Sequence, residues 1–189
     1  MSKRIAFLSA AALGALALTA TIVAPVSAQD KMTSGQKTVM VGGAAMFPSK
    51  NIVQNAVKSK DHTTLVAAVK AAGLVDTLEG KGPFTVFAPT NAAFARLPAG
   101  TVDTLVKPEN KATLTKILTY HVVPGKLEAS DLTDGKKLKT VQGEELTVKR
   151  SGDTVMIIDA KGGSSTVTIP NVNQSNGVIH VVDTVLMPS

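Results

Sequence analysis

The chain has no cysteine. That excludes disulfide staples, thiolate metal sites, a cysteine nucleophile and a lipid-modified N-terminal cysteine. Histidine is scarce, with His62, His121 and His180 the full complement. Aromatic side chains make up 3% of the sequence and stop at Tyr120. No stretch matches a GxSxG elbow, an HExxH helix or a phosphate-binding loop, and a triad of a serine, His121 and Asp183 would depend wholly on the fold to assemble it. The chain therefore reads as a non-enzyme that calls for no cofactor and no metal. Nucleic acid is excluded as a partner by the same scarcity. Lys136, Lys137, Lys139, Lys149 and Arg150 form a basic set on what read as adjacent strands, but no aromatic lies beside them on which a base could stack. A solvated basic face is the reading of that set, with an acidic glycan or a lipid surface as alternatives.

One long uncharged run is present. Lys3 and Arg4 open the chain, an Ala- and Leu-rich segment follows over residues 5–20, and Pro25 stands just ahead of Val26-Ser27-Ala28. Basic, apolar and small-residue regions in that order make a secretory signal peptide, read as residues 1–28. Ser9, Gly14, Thr19 and Thr21 dilute the run, which argues against an uncleaved anchor needing about 20 apolar residues. The expected mature chain starts near Gln29. It keeps 18 basic and 14 acidic residues, a mild net charge of +4, and is long enough to bury the core of a single domain. Its expected location is the periplasm, the cell surface or the exterior.

Residues 29–48 read as an N-terminal extension, an arm that docks on the domain. The domain itself is read as residues 49–189. Ser49 is a candidate N-cap for a helix with Ile52, Val53, Ala56 and Val57 on one face. Asp61 or Thr63 is the expected cap of a second helix, with Leu65, Val66 and Val69 inward and Gly73 ending it. A strand over 84–88 stops at Pro89, and Thr90 or Asn91 starts the next helix. Beyond Tyr120 short β-branched runs at 138–141, 146–149, 155–158, 167–169 and 178–182 alternate with glycine turns, the texture of an antiparallel sheet. Helices first and strands second make the class α+β.

Three segments resemble the fasciclin domain family. Gly82-Pro83-Phe84-Thr85-Val86-Phe87-Ala88-Pro89-Thr90-Asn91-Ala92-Ala93-Phe94 is similar to its first conserved block. Leu118-Thr119-Tyr120-His121-Val122-Val123 is similar to its central tyrosine–histidine motif. Asn176-Gly177-Val178-Ile179-His180-Val181-Val182-Asp183-Thr184-Val185-Leu186-Met187-Pro188 is similar to its C-terminal block. Order and spacing match over about residues 51–188. The resemblance implies a fasciclin-type fold, a wedge or sandwich of two β-sheets with helices packed around one side. It implies an exported protein that mediates cell adhesion or binds an extracellular or envelope protein or polysaccharide. The closer likeness is to single-domain bacterial members, some tied to symbiosis or surface attachment. A monomer is expected, with peripheral membrane association left open. The alternative is a carrier of a small apolar, carotenoid-like molecule.

The resemblance also puts binding near Tyr120 and His121, with Leu118, Val122 and Val123 supplying apolar contact. The residues themselves equally suit a structural role, since a buried tyrosine keeps its hydroxyl bonded and a neutral histidine donates with one ring nitrogen and accepts with the other. The remaining motif residues read as structural. Phe84, Phe87, Pro89, Thr90, Asn91 and Phe94 build a strand–turn–helix corner, and Asn176 and Gly177 head the last block. His180 and Asp183 are three apart, which on a strand puts them on opposite faces. They are not a ready acid–base pair, and Asp183 is expected to pin a turn before Leu186.

Overall fold

In the computed structural model, which describes residues 38–189, the chain begins with a hairpin. Strands β1 (Val39–Val41) and β2 (Ala44–Met46) pair antiparallel across Gly42 and Gly43, both at positive φ. Alternation along them sends Val41 and Met46 inward, so the arm packs as part of the domain. The expected signal peptide lies outside the described residues.

Helix α1 (Ile52–Ala56) is capped by Asn51 rather than Ser49. The Asn51 side chain accepts from the Gln54 amide, and Gln54 reciprocates on the Asn51 amide. A helix of 5 residues is too short to hold four apolar residues on one face. It buries Ile52 and Asn55, and Val57, beyond its last turn, is 52% exposed. Helix α2 (Thr63–Ala72) buries Leu65, Ala68, Val69 and Ala72 and ends at a left-handed Gly73. Its cap is neither Asp61 nor Thr63. Asn91 Oδ1 accepts from the Thr64 amide at 3.0 Å, and Asn91 Nδ2 donates to the Lys60 carbonyl and the Thr63 hydroxyl.

Helix α3 (Val75–Glu79), strand β3 (Phe84–Pro89), and helices α4 (Asn91–Ala95), α5 (Thr101–Leu105) and α6 (Lys111–Tyr120) complete the first half. Thr90 caps α4 through the Ala93 amide. Strands β4 (Val122–Pro124), β5 (Lys137–Lys139), β6 (Glu145–Ser151), β7 (Thr154–Ile158), β8 (Ser164–Gln174) and β9 (Gly177–Val182) make the second.

Seven strands form one sheet in the order β4-β3-β9-β8-β7-β6-β5. Strand β8 has register shifts around Ile169, where Asn171 takes φ 57°, and such irregularities bend a strand. Its first residues pair with β7 and the rest with β9. The two sheets of the expected wedge are thus two halves of one bent sheet. The Val141 amide donates to the Val122 carbonyl at 2.8 Å, bringing the edge strands together so that the sheet nearly closes. The runs beyond Tyr120 pair antiparallel with one another, as expected, while β3, which precedes them, runs parallel to β9. A parallel pair needs a long crossover, and everything from α4 to β8 supplies it.

Strands β3 and β9 are covered on both faces. Val86, Ala88, Ile179 and Val181 pack toward the helices with Ile52, Leu65, Val69 and Leu118. Phe87 and Val182 pack inside the bent sheet with Tyr120, Leu146, Val148, Ile157 and Leu186. Burial on both sides explains why β9 is a continuous apolar run broken only by His180. Where the two strands start, the backbones touch. A Cβ on Gly177 would run into the Phe84 carbonyl, and one on Gly82 into the Asn176 carbonyl.

Candidate functional site

Helix α6 delivers Tyr120 and His121 to the seam between the two cores. Tyr120 is fully buried; its hydroxyl accepts from the Ala160 amide at 2.9 Å and donates to the Glu145 carbonyl at 3.4 Å. Burial pushes its pKa up. His121 Nδ1 lies 2.9 Å from the Ile117 carbonyl and so carries the proton, while Nε2 accepts from the Leu186 amide at 3.0 Å. Burial lowers the pKa of His121 to about 4, against the opposing pull of the Ile117 carbonyl and Asp159. The ring is neutral near pH 7, and backbone groups occupy both of its nitrogens. It has none left to serve as a base, so the serine–His121–Asp183 triad does not form.

All five residues expected to form a binding surface are buried: Leu118, Tyr120, His121, Val122 and Val123. The C-terminal segment that carries Leu186 is tied to His121 among them. Tyr120 and Val123 pack inside the bent sheet, and Leu118, His121 and Val122 line a cavity on its other side.

The other motif residues hold the frame. His180 stacks on Phe87 with ring centroids 5.7 Å apart, donates from Nε2 to the Leu127 carbonyl at 2.8 Å and accepts from the Asn171 amide at Nδ1. Asp183 accepts from the Thr166 amide at 2.8 Å and the Thr184 hydroxyl at 3.1 Å, and pairs with Arg96 at 3.4 Å. Each is committed to its own partners, with Asp183 pinning the end of β9. Asn176 bolts four elements together. Its Oδ1 accepts from the Ile52 amide, its Nδ2 donates to the Leu78 and Gly80 carbonyls, and its carbonyl accepts from the Phe84 amide. Phe84 is half-buried and Phe94 buried, both in the helix-side core. In the basic set, Lys137 pairs with Glu145 at 3.4 Å and Arg150 donates to the Gly152 carbonyl.

The cavity has a volume of about 80 Å³ and lies between helices α1 to α3 and the outer face of β3 and β9. Val41, Ile52, Leu65, Val69, Val86 and Ile179 give it an almost wholly apolar wall. His62 stands in that wall at 3% exposure, and nothing in its polar sequence context marks it as buried. Its Nδ1 lies 2.9 Å from the Ser59 hydroxyl, and its Nε2 has no hydrogen-bond partner among the described residues. Burial lowers the pKa of His62; the Ala88 carbonyl and Asp61 oppose this, although that carbonyl is out of hydrogen-bond geometry with Nε2. Asn55 and Gln174, buried and bonded to each other, also escaped the sequence reading. No group of three histidine, aspartate or glutamate side chains among the described residues could hold a metal ion. No helix among them is long and apolar enough to cross a membrane.

The model of the fasciclin domain matches residues 60–188. The chain belongs to the fasciclin domain family. The chain is 48% identical over 164 residues to protein sll1483 of Synechocystis, covering 87% of this chain and 88% of that one. It is 35% identical over 202 residues to immunogenic protein MPB70 of Mycobacterium bovis, covering 100% and 98%. It is 46% identical over 115 residues to cell surface glycolipoprotein MPB83 of the same species, covering 61% and 48%. Among solved structures it is similar to the FAS1 domain pair of the insect cell adhesion molecule fasciclin I, with a TM-score of 0.67 at 19% identity, covering 75% of this chain and 52% of that one. The chain thus spans about half the length of that domain pair, and the likeness is one of fold. The family match begins at Lys60, yet the fasciclin core also takes in Val41, Met46 and Ile52 from the segment before it.

Proposed function

We propose that this fasciclin domain is an exported binding module that attaches to an extracellular or envelope protein or polysaccharide at the cell surface. The observation that carries the reading is the corner formed by the hairpin and α1. Met40 is 60% exposed there, Phe47 36% and Val57 52%, while Val41, Met46 and Ile52 of the same segment are buried. Asn55 ties Phe47 to α1 through both its amide and its carbonyl, and Lys50 sits 5.0 Å from the Phe47 ring centroid. Apolar groups beside a cation suit a partner that offers both apolar and acidic contact. The test is attachment of the purified protein to intact cells and to immobilised envelope polysaccharide. Met40→Ser with Val57→Ser should lose attachment without lowering the melting temperature. Wild-type protein that attaches to neither surface would sink the reading.

The cavity favours a second reading, carriage of a small apolar molecule. Its wall is apolar, Leu118, His121 and Val122 contribute to it, and half-buried Val53, Val66 and Val75 give it an edge that solutes can reach. Solvent extraction of protein purified from its native source, followed by mass spectrometry, should yield an apolar compound in stoichiometric amount. An empty extract would leave adhesion as the better account.

A further inference from the structure

Buried polar atoms almost always have a hydrogen-bond partner, and one without needs an explanation. His62 Nε2 is such an atom. The other histidines show that the fold can satisfy its rings, since His121 and His180 each have both nitrogens bonded to backbone groups. The His62 ring is also fixed. Ser59 holds its Nδ1, and Gly42 packs so closely on Ser59 that a Cβ there would lie 2.5 Å from the hydroxyl and 2.7 Å from the Asp61 amide. The remaining polar residues on the cavity wall do not answer it. Lys70 and Thr77 are exposed, Thr119 donates to the Thr115 carbonyl, and His121 is fully bonded. A lone water beside Nε2 would find the Ala88 carbonyl as a second polar neighbour, short of the about three hydrogen bonds that a buried water typically makes.

We propose that the cavity binds a small or slender neutral apolar molecule carrying one hydroxyl group, and that His62 Nε2 is its hydrogen-bond anchor. The proposal rests on the carriage reading above. A hydroxyl fits because it both donates and accepts, so it serves whichever tautomer Ser59 leaves on the ring. A charged head group does not fit, because the wall offers no buried counter-charge and Lys70 is exposed to water. The apolar body lies along Leu65, Val69 and Ile179, and a longer chain leaves past Val141, which is 45% exposed and also lines the cavity.

The test uses 1-hexanol and n-hexane as probes, titrated into the purified ¹⁵N-labelled protein. Hexanol should move the His62 Nε2 resonance while those of His121 and His180 hold, and hexane should leave all three in place. His62→Leu should lose roughly tenfold in hexanol affinity, the worth of one hydrogen bond, and nothing for hexane. If both probes bind but the His62 resonance never moves, or His62→Leu weakens both equally, the anchor is overturned and carriage stands. If neither probe binds, carriage fails as well. Should His62→Leu not fold, the wild-type His62 resonance decides the matter alone.

Discussion

His121 Nε2 accepts a hydrogen bond from the Leu186 amide at 3.0 Å, tying the end of α6 to a segment 65 residues further along the chain. The bond requires a neutral ring with its proton on Nδ1, where the Ile117 carbonyl receives it. A protonated ring would have to donate at both nitrogens, and the amide of Leu186 cannot accept.

Acid should therefore unfold this protein. The unfolded His121 takes a proton near its ordinary value of 6.5, and the native one only at about 4. Between those values the unfolded state binds more protons, so stability falls as pH falls through that window and is whole above it. His121 alone contributes a loss of about 3 kcal/mol by pH 4. Burial lowers His62 and His180 in the same direction, so they add to the loss. Urea midpoints measured across the window check this, and a midpoint that holds steady from pH 6.5 to pH 4 would show that the ring is not buried as described.

Tyr120→Phe should keep the packed ring and remove its two hydrogen bonds. The Ala160 amide and the Glu145 carbonyl then lose their partner, at a cost of about 1–3 kcal/mol. An unchanged thermal midpoint would mean that the hydroxyl bonds contribute nothing. Lost attachment at unchanged stability would instead return the tyrosine to the binding surface.

Asn176→Asp should be more damaging than its small change in shape suggests. The amide nitrogen donates to the Leu78 and Gly80 carbonyls, and a carboxylate would face both as a third acceptor. Asn176→Ala also strands the buried Ile52 amide. Each variant should lose on the order of 3 kcal/mol, from one or more buried groups left unpaired. Chemical denaturation checks it, and a loss under about 0.5 kcal/mol, the range of an ordinary surface substitution, would remove Asn176 from the role of bolt.

Gly177→Ala adds a methyl group where the Phe84 carbonyl already stands. Backbone cannot rotate aside as a side chain does, so strands β3 and β9 must separate at their shared start. Reduced amide protection at Val178 and Ile179 in hydrogen exchange should accompany a lower melting temperature. Gly135→Ala is the contrast. Its φ is positive, but a Cβ there meets nothing within 4 Å, so it should carry backbone strain alone and the smaller penalty.

The sequence alone determined the α+β class, the place of most elements and the fasciclin likeness. These follow from patterns local to the chain. The β-branched and aromatic runs in 84–89 and 177–182, Gly73 after a helix, and Thr90 ahead of one all record chemistry between near neighbours. Tertiary structure alone decided the rest. It made β3 and β9 parallel, placed the cap of α2 on Asn91, 27 residues from the amide it serves, and joined Asn176 to Ile52 across 124 residues. It also buried Tyr120 and His121, which local pattern left equally suited to a surface or a core. It left His62 Nε2 without a hydrogen-bond partner among the described residues, in an apolar wall. A local pattern states which side chains need partners; only the folded chain determines which distant backbone groups meet them, and which need is left for another molecule to fill.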